Sequence, residues 1–169
     1  MLPIHAILQP TDFSQHSEYA HEVACALAHD YGARLMILHV APTMMVYGQG
    51  VIPPDPEVVS QEAQAQLERL KAPNDSVQVK RRLEKGDPAT EIVGVAEEIG
   101  ADLIVMGTHG RTGLSRLLMG SVAEQVMRKA CCPVLTVKAP FPALADESTP
   151  VEGTGVVPTA ATGPTAFDV

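Results

Sequence analysis

The chain has 169 residues, 46% of them hydrophobic but only 4% aromatic and none tryptophan, so its core must be mostly Val, Ile, Leu, Ala and Met. That length suits one domain of ordinary size plus a tail, with enough apolar material to bury a core. A formal net charge of −8 argues against a nucleic-acid-binding face or an anionic-membrane surface, both of which need basic residues, but a small anion could still be held by backbone N–H groups.

In chain order, Ile4 to Leu8 is a short apolar run ended by "QPTD", a first strand. In "DFSQHSEYAHEVACALAHDYG", Ala20, Val23, Ala24, Leu27, Ala28 and Tyr31 fall on one helical face, with Ser14 as N-cap and Gly32 as stop. "ARLMILHV" is a second buried strand ending near Val40. "APTMMVYGQGVIPPDP" has no period and is punctuated by Gly and Pro, a long loop in which Met44 and Met45 either lid a ligand or simply form an apolar loop. "EVVSQEAQAQLERLK" is a second helix with Val59, Ala63, Leu67 and Leu70 on one side. "SVQVKRRLEKG" reads as an edge strand with one wet face.

"GDPATEIVGVAEEIGA" is a third helix, with Asp87 as N-cap, Pro88 as its first residue and Gly100 as its stop. "ADLIVMG" is the fourth strand and the most buried-looking; "SVAEQVMRKA" is a helix, and "CPVLTVK" a strand whose Pro133 fits a sheet edge. There is no internal repeat. Strands alternating with helices imply right-handed crossovers and a parallel, doubly wound α/β sheet. From Ala139 the composition changes to Pro, Ala, Thr and Gly with four acids and no Lys or Arg. The chain therefore divides into a domain over 1–138 and a tail over 139–169, read as flexible or as a strap across a partner subunit.

No run reaches the ~18 apolar residues of a membrane span, and "MLPIHAILQPTD" lacks the charged segment and cleavage site of a signal peptide. The three cysteines, Cys25, Cys131 and Cys132, form no C-x-x-C pair and read as reduced thiols. A cytoplasmic protein is expected. Cys131 and Cys132 could carry redox chemistry or a metal, but a helix end followed by a buried strand explains them more simply. His5, His16, His21, His29 and His39 have no spacing that suggests a metal site.

In an open parallel sheet, ligands sit outside the carboxyl ends of the strands, where connections diverge. "QPTDFS" after the first strand and "GTHGRTG" after the fourth are the loop-rich ends. Neither G-x-x-x-x-G-K-[ST] nor a G-x-G-x-x-G after the first strand is present. What is present is Gly107-x2-Gly110-x9-Gly120-Ser121. Gly107 and Gly110 could let backbone approach a bulky anion, and Gly120 and Ser121 open a helix whose N-terminal N–H groups favour anions.

On this motif, together with "PTDFS", "ADLIVMG" and "CPVLTV", the chain resembles the universal stress protein family in its nucleotide-binding branch. The resemblance covers 1–138 and omits the tail. It implies an open five-stranded parallel sheet of order 3-2-1-4-5 with helices on both faces, a homodimer joined through the last strand (132–138), and ATP, alone or with Mg²⁺, in the crevice. Carried over position by position, Pro10, Thr11 and Asp12 would border the adenosine, Val40 would contact adenine, and Met106 and Gly107 would line base and ribose. His109, Gly110, Arg111, Gly120, Ser121 and Val122 would surround the phosphates. The residues' own chemistry leaves alternatives: Asp12 can cap the first helix, and His109 and Arg111 can point to solvent.

Efficient phosphoryl transfer needs a positioned nucleophile, charge neutralisation and usually a held Mg²⁺. The sequence has no phosphate-loop lysine and no obvious metal-binding Asp beside the glycines. The leading expectation is therefore an ATP-binding protein of the stress response in which ATP is a regulatory ligand, with at most slow hydrolysis. The alternatives are a dimeric interaction protein with an unused pocket, and an adenylate-transferring enzyme. The latter would carry a Ser-Gly-Gly loop where this chain has "QPTDFS".

Overall fold

The computed structural model describes residues 3–41, 55–73, 76–108 and 119–138. Strands and helices alternate as β1 (Ala6–Pro10), α1 (Gln15–Tyr31), β2 (Arg34–Ala41), α2 (Pro56–Arg69), β3 (Val79–Lys85), α3 (Pro88–Glu98), β4 (Leu103–Gly107), α4 (Ser121–Lys129) and β5 (Val134–Val137). Every neighbouring pair of strands is parallel and the order is β3-β2-β1-β4-β5, the doubly wound sheet expected from the alternation. β1 is central and all five of its residues are buried. It, rather than β4, is the most enclosed strand, because β4 has partly exposed residues at both ends.

Each sheet face carries one helix layer. On one face, Ile7, Leu35, Ile37 and Val105 pack under Ala20, Ala24 and Ala28 of α1 and Leu67 of α2. On the other, Leu8, Leu38, Val40, Ile104 and Met106 meet Ile92, Val95 and Ala96 of α3 and Ala123 and Val126 of α4. Successive strand residues alternate between the two clusters because side chains alternate across a strand. The small residues of α1 let it lie close to the central strands. Tyr31, placed by its spacing on the apolar face, is 42% exposed; it sits in the last turn, where the helix clears the sheet, and the buried stripe runs instead through Ser17, His21 and Cys25.

The local signals account for the element ends. The Ser14 hydroxyl accepts from the Ser17 amide at the start of α1, and the Asp87 carboxylate accepts from the Thr90 amide at the start of α3. Gly32 (φ +63°) and Gly100 (φ +60°) close the C-terminal ends of α1 and α3 in left-handed backbone. There the next amide reaches back to the helix, Ala33 N to Ala28 O and Ala101 N to Ala96 O, each at 2.8 Å. At the end of α2, which has no such glycine, the Arg81 guanidinium of β3 donates to the carbonyls of Leu67 and Leu70. A cation there satisfies orphan carbonyls and meets the negative end of the helix dipole. Asp102, just before β4, accepts from the amides of His5 (2.7 Å) and Ala6 (3.0 Å), fixing the start of β1. These bonds hold its carboxyl below the usual carboxylate range.

β3 and β5 are the sheet edges. β3 begins at Val79, with Val77 already buried before it. Its Arg82 pairs with Glu84 (2.6 Å) and with Glu98 of α3 (2.7 Å). Charged residues on an edge strand discourage pairing with another chain.

Candidate functional site

The sheet opens where its topology reverses. β1 and β2 stay in register through Pro10↔Leu38, and β4 and β5 through Gly107↔Val137. Between β1 and β4, however, the register stops at Leu8↔Ile104. The chain leaving β1 bends toward β2, with Thr11 N donating to Leu38 O at 2.8 Å. The chain leaving β4 bends toward β5, with Thr108 N donating to Val137 O at 3.0 Å. The two exits diverge at the carboxyl ends of the central strands, the place where open α/β sheets bind ligands.

On the β1 side the loop Thr11–Ser14 is tightly specified. The Thr11 hydroxyl donates to Ser17 Oγ (3.0 Å) and accepts from the Phe13 amide (3.1 Å), and Ser17 Oγ donates to Ser14 O (2.8 Å). Asp12 Oδ1 accepts from the amide (3.1 Å) and the hydroxyl (2.6 Å) of Ser14. Asp12 therefore orients the cap residue and is not itself the N-cap. Phe13 has φ +61°, the one positive value outside glycine among the described residues. A bulky side chain there stores of order 1 kcal/mol of strain, a feature that clusters at ligand sites. Its ring lies on His39, centroids 4.4 Å apart. The Nδ1 of His39 lies 2.7 Å from Thr11 O; a carbonyl only accepts, so that nitrogen carries the proton.

Beneath this loop Gln9 is completely buried, its Nε2 donating to Pro10 O (2.9 Å) and Ser17 O (3.4 Å), while its Oε1 finds no partner among the described residues. An orphaned buried carbonyl costs about 1–3 kcal/mol.

On the β4 side, Gly107 is a glycine for a reason the motif did not suggest. A Cβ there would lie 3.0 Å from the backbone oxygen of His16 in the first turn of α1. Close helix approach accounts for it directly. Gly120 is the N-cap of α4, in extended backbone (φ −72°, ψ 150°) and with no side-chain cap. Its own amide donates to Thr108 O at 2.7 Å, which corrects the expectation that the Gly120 N–H is available to an anion. The intrahelical ladder begins with Glu124 N to Gly120 O. The amides of Ser121, Val122 and Ala123 thus precede it at the positive end of the helix.

Of the residues carried over, Pro10, Thr11, Val40 and Met106 are buried, Asp12, Gly107, Gly120 and Val122 half-buried, and Ser121 exposed. Val40, Met106 and Val122 share one apolar cluster on the α3–α4 face. Thr11 and Asp12 belong to the exit from β1, and Gly107, Gly120, Ser121 and Val122 to the exit from β4. His109, Gly110 and Arg111, with Met44 and Met45, lie outside the described residues, as does the tail 139–169.

Gln9, Ser17 and Thr108 were not singled out from the sequence, and His39 only as lacking the spacing of a metal site. The available signal was polarity within apolar strand and helix faces; nothing in the sequence announces the Phe13 backbone. Burial raises the thiol pKa of Cys25, helped by Glu22, and of Cys132, helped by Cys131. Neither has the lowered pKa of an activated nucleophile. A shallow groove of about 430 Å³ runs along α2 against Leu83. It carries Glu57 and Glu68 and, among the described residues, no cation, so it suits an anion poorly, and none of its lining residues belongs to the exits of β1 or β4.

No described helix is long and apolar enough to cross a membrane. The family model described as "Universal stress protein family" matches residues 3–138. The universal stress protein MJ0531 of Methanocaldococcus jannaschii is 40% identical over 139 residues, covering 79% of this chain and 82% of its own. YxiE of Bacillus subtilis is 34% identical, covering 78% and 97%. Among solved structures, MJ0577 of M. jannaschii superposes with a TM-score of 0.69 at 32% identity, covering 82% of this chain and 99% of its own. A universal stress protein from Archaeoglobus fulgidus in complex with dAMP shares the fold at a TM-score of 0.58 and 24% identity, covering 82% and 100%. The sheet order, the matched span and these relatives together mean that this chain belongs to the universal stress protein family.

Proposed function

We propose that this protein binds ATP in the crevice between the exits of β1 and β4 and uses it as a regulatory ligand in a stress response, with hydrolysis slow at most. The observation that carries the reading is the divergence of those exits, with the Thr11–Ser14 loop following one and the N-terminus of α4, which no described side chain caps, bonded to the other. In this reading Pro10, Thr11, Asp12, Val40, Met106 and Gly107 take the adenosine. The phosphates lie against the first-turn amides of α4, at Ser121 and Val122 beside Gly120, and against the segment His109–Arg111. Helix dipole and amides favour the anion without a lysine. Such a cradle stabilises ground state and transition state alike, so it favours binding over turnover. The fold itself accommodates an adenine nucleotide in the A. fulgidus protein. Mg²⁺, if it enters, does so with the phosphates; among the described residues no group of three or more His, Cys, Asp or Glu could hold a metal ion.

The functional unit in this proposal is a domain over 1–138 in the cytoplasm, paired with a second copy through 132–138. The edge position of β5, with Leu135 39% and Met127 of α4 46% exposed, supports that pairing.

Calorimetry of the full chain with ATP tests the reading. Wild type should bind, and Gly120→Val, whose side chain would intrude on the phosphates, should lose most of the affinity while keeping its circular dichroism. The backbone at 120 suits any residue, so the variant should fold. No heat at millimolar ATP, or equal binding by the variant, would overturn it. Turnover at the rate of an ordinary kinase, abolished by Asp12→Ala with ATP binding intact, would overturn the regulatory assignment.

A further inference from the structure

Gln9 is the anomaly of the central strand. Two residues earlier on the same sheet face, Ile7 is equally buried and wholly apolar. At position 9 the chain instead buries a carboxamide and leaves its oxygen without a donor among the described residues. The orientation is forced: the amide faces two carbonyls, Pro10 O and Ser17 O, which can only accept, so the NH₂ must point to them. An apolar side chain of the same size would avoid the orphaned oxygen.

What the carboxamide does is tie the last residue of β1 to the first turn of α1, on either side of the Thr11–Ser14 loop. Ser17, 4% exposed, works beside it. Its hydroxyl donates to Ser14 O and accepts from Thr11 Oγ1, which in turn accepts from the Phe13 amide. Each hydroxyl proton has one direction in this relay. It ends on the residue held at φ +61°, next to Asp12.

We propose that Gln9 and Ser17 are positioning residues for the nucleotide site, holding the strained Thr11–Ser14 turn from beneath in its ligand-ready shape. The orphaned oxygen is tolerated for that purpose. Both are buried under the turn and act through Thr11, Asp12 and Phe13. The inference rests on the nucleotide reading above.

The test compares wild type with Gln9→Met, which conserves volume, and with Ser17→Ala and Ser17→Thr. Thermal melting, titration with ATP and with inorganic triphosphate, and hydrogen exchange at the Phe13 and Ser14 amides are measured on each. Gln9→Met removes the orphaned oxygen and also the donors to Pro10 O and Ser17 O, opposing effects on stability, so its melting temperature should change little while ATP binds roughly tenfold more weakly and exchange at both amides speeds up. Triphosphate, which the β4 side would hold, should bind Gln9→Met as it binds wild type. Ser17→Ala should weaken ATP likewise and Ser17→Thr restore it; this pair decides the matter if Gln9→Met does not fold. Variants that bind ATP like wild type overturn the positioning role alone, as does weakening that appears only with a fall in melting temperature. Wild type that binds no ATP at millimolar concentration overturns the nucleotide reading and this role with it.

Discussion

Gly107→Ala separates two explanations of the same glycine. The backbone there is not in the left-handed region, so alanine carries no conformational strain and only the contact matters. The new methyl would meet His16 O at 3.0 Å, His16 C at 3.1 Å and His16 Cβ at 3.2 Å. Ordinary van der Waals contact begins near 3.4 Å, so α1 or β4 must give by about 0.4 Å. The atoms met are mainly helix backbone in the turn that Ser14 caps, and they cannot swing aside as a flexible side chain would. Overpacking of this kind costs about 1–3 kcal/mol. With a urea dependence of about 1–3 kcal/mol per molar, the unfolding midpoint should fall by roughly 1 M. Gly94→Ala in α3 is the control: nothing lies within 4 Å of its Cβ position, and exchanging glycine for alanine inside a helix should gain about 0.5–1 kcal/mol. Equilibrium urea unfolding of ligand-free protein, followed by circular dichroism, measures both. A Gly107→Ala midpoint at or above wild type would refute the close approach and return that glycine to a purely ligand-facing role.

Asp102→Asn should lower stability at neutral pH by about 0.5–1 kcal/mol, the solvent-screened end of a charge-assisted bond. Its folded pKa is depressed first by the His5 and then by the Ala6 amide, so its contribution is present above the unfolded value of about 3.9 and is lost as pH falls through the lower folded value. The gap between wild type and variant in urea midpoint should therefore close below about pH 4; a gap that widens on acidification would contradict the assignment. Arg81→Met keeps most of the aliphatic stem but removes the donors to Leu67 O and Leu70 O; about 1 kcal/mol of stability should go, with faster hydrogen exchange confined to the last turn of α2. Uniform exchange across the domain would show that the guanidinium does not act as a cap.

The fold was legible because several local signals agreed. Asp87-Pro88 opens a helix and Gly100 closes it, apolar runs of strand length recur between helical spacings, and alternation of the two dictates a parallel sheet. The candidate site was legible in outline, since Gly107, Gly120 and Ser121 stand at the ends of elements that the pattern had already placed. The division of labour among those residues was not. Only three-dimensional proximity reveals that Gly107 faces His16 or that the Gly120 amide holds Thr108, because each contact joins separate elements; the bond from Ser14 to Asp12 is local, and there the sequence left open a choice between capping chemistry and ligand contact. Tyr31 misled for a related reason: spacing gives a helical face but not where the helix leaves the sheet. The buried relay of Gln9, Thr11 and Ser17 is harder still, since hydroxyls and amides near a helix start read as ordinary capping chemistry.

An adenine nucleotide held where β1 and β4 part would perturb the backbone amides around it, which NMR during an ATP titration of the full chain would record. Saturable shifts should appear at Thr11–Ser14, at Gly107 and Thr108, and at Ser121–Ala123, with α2 and β3 unmoved. Saturable shifts along α2 and Leu83 instead, or none at millimolar ATP, would contradict that placement.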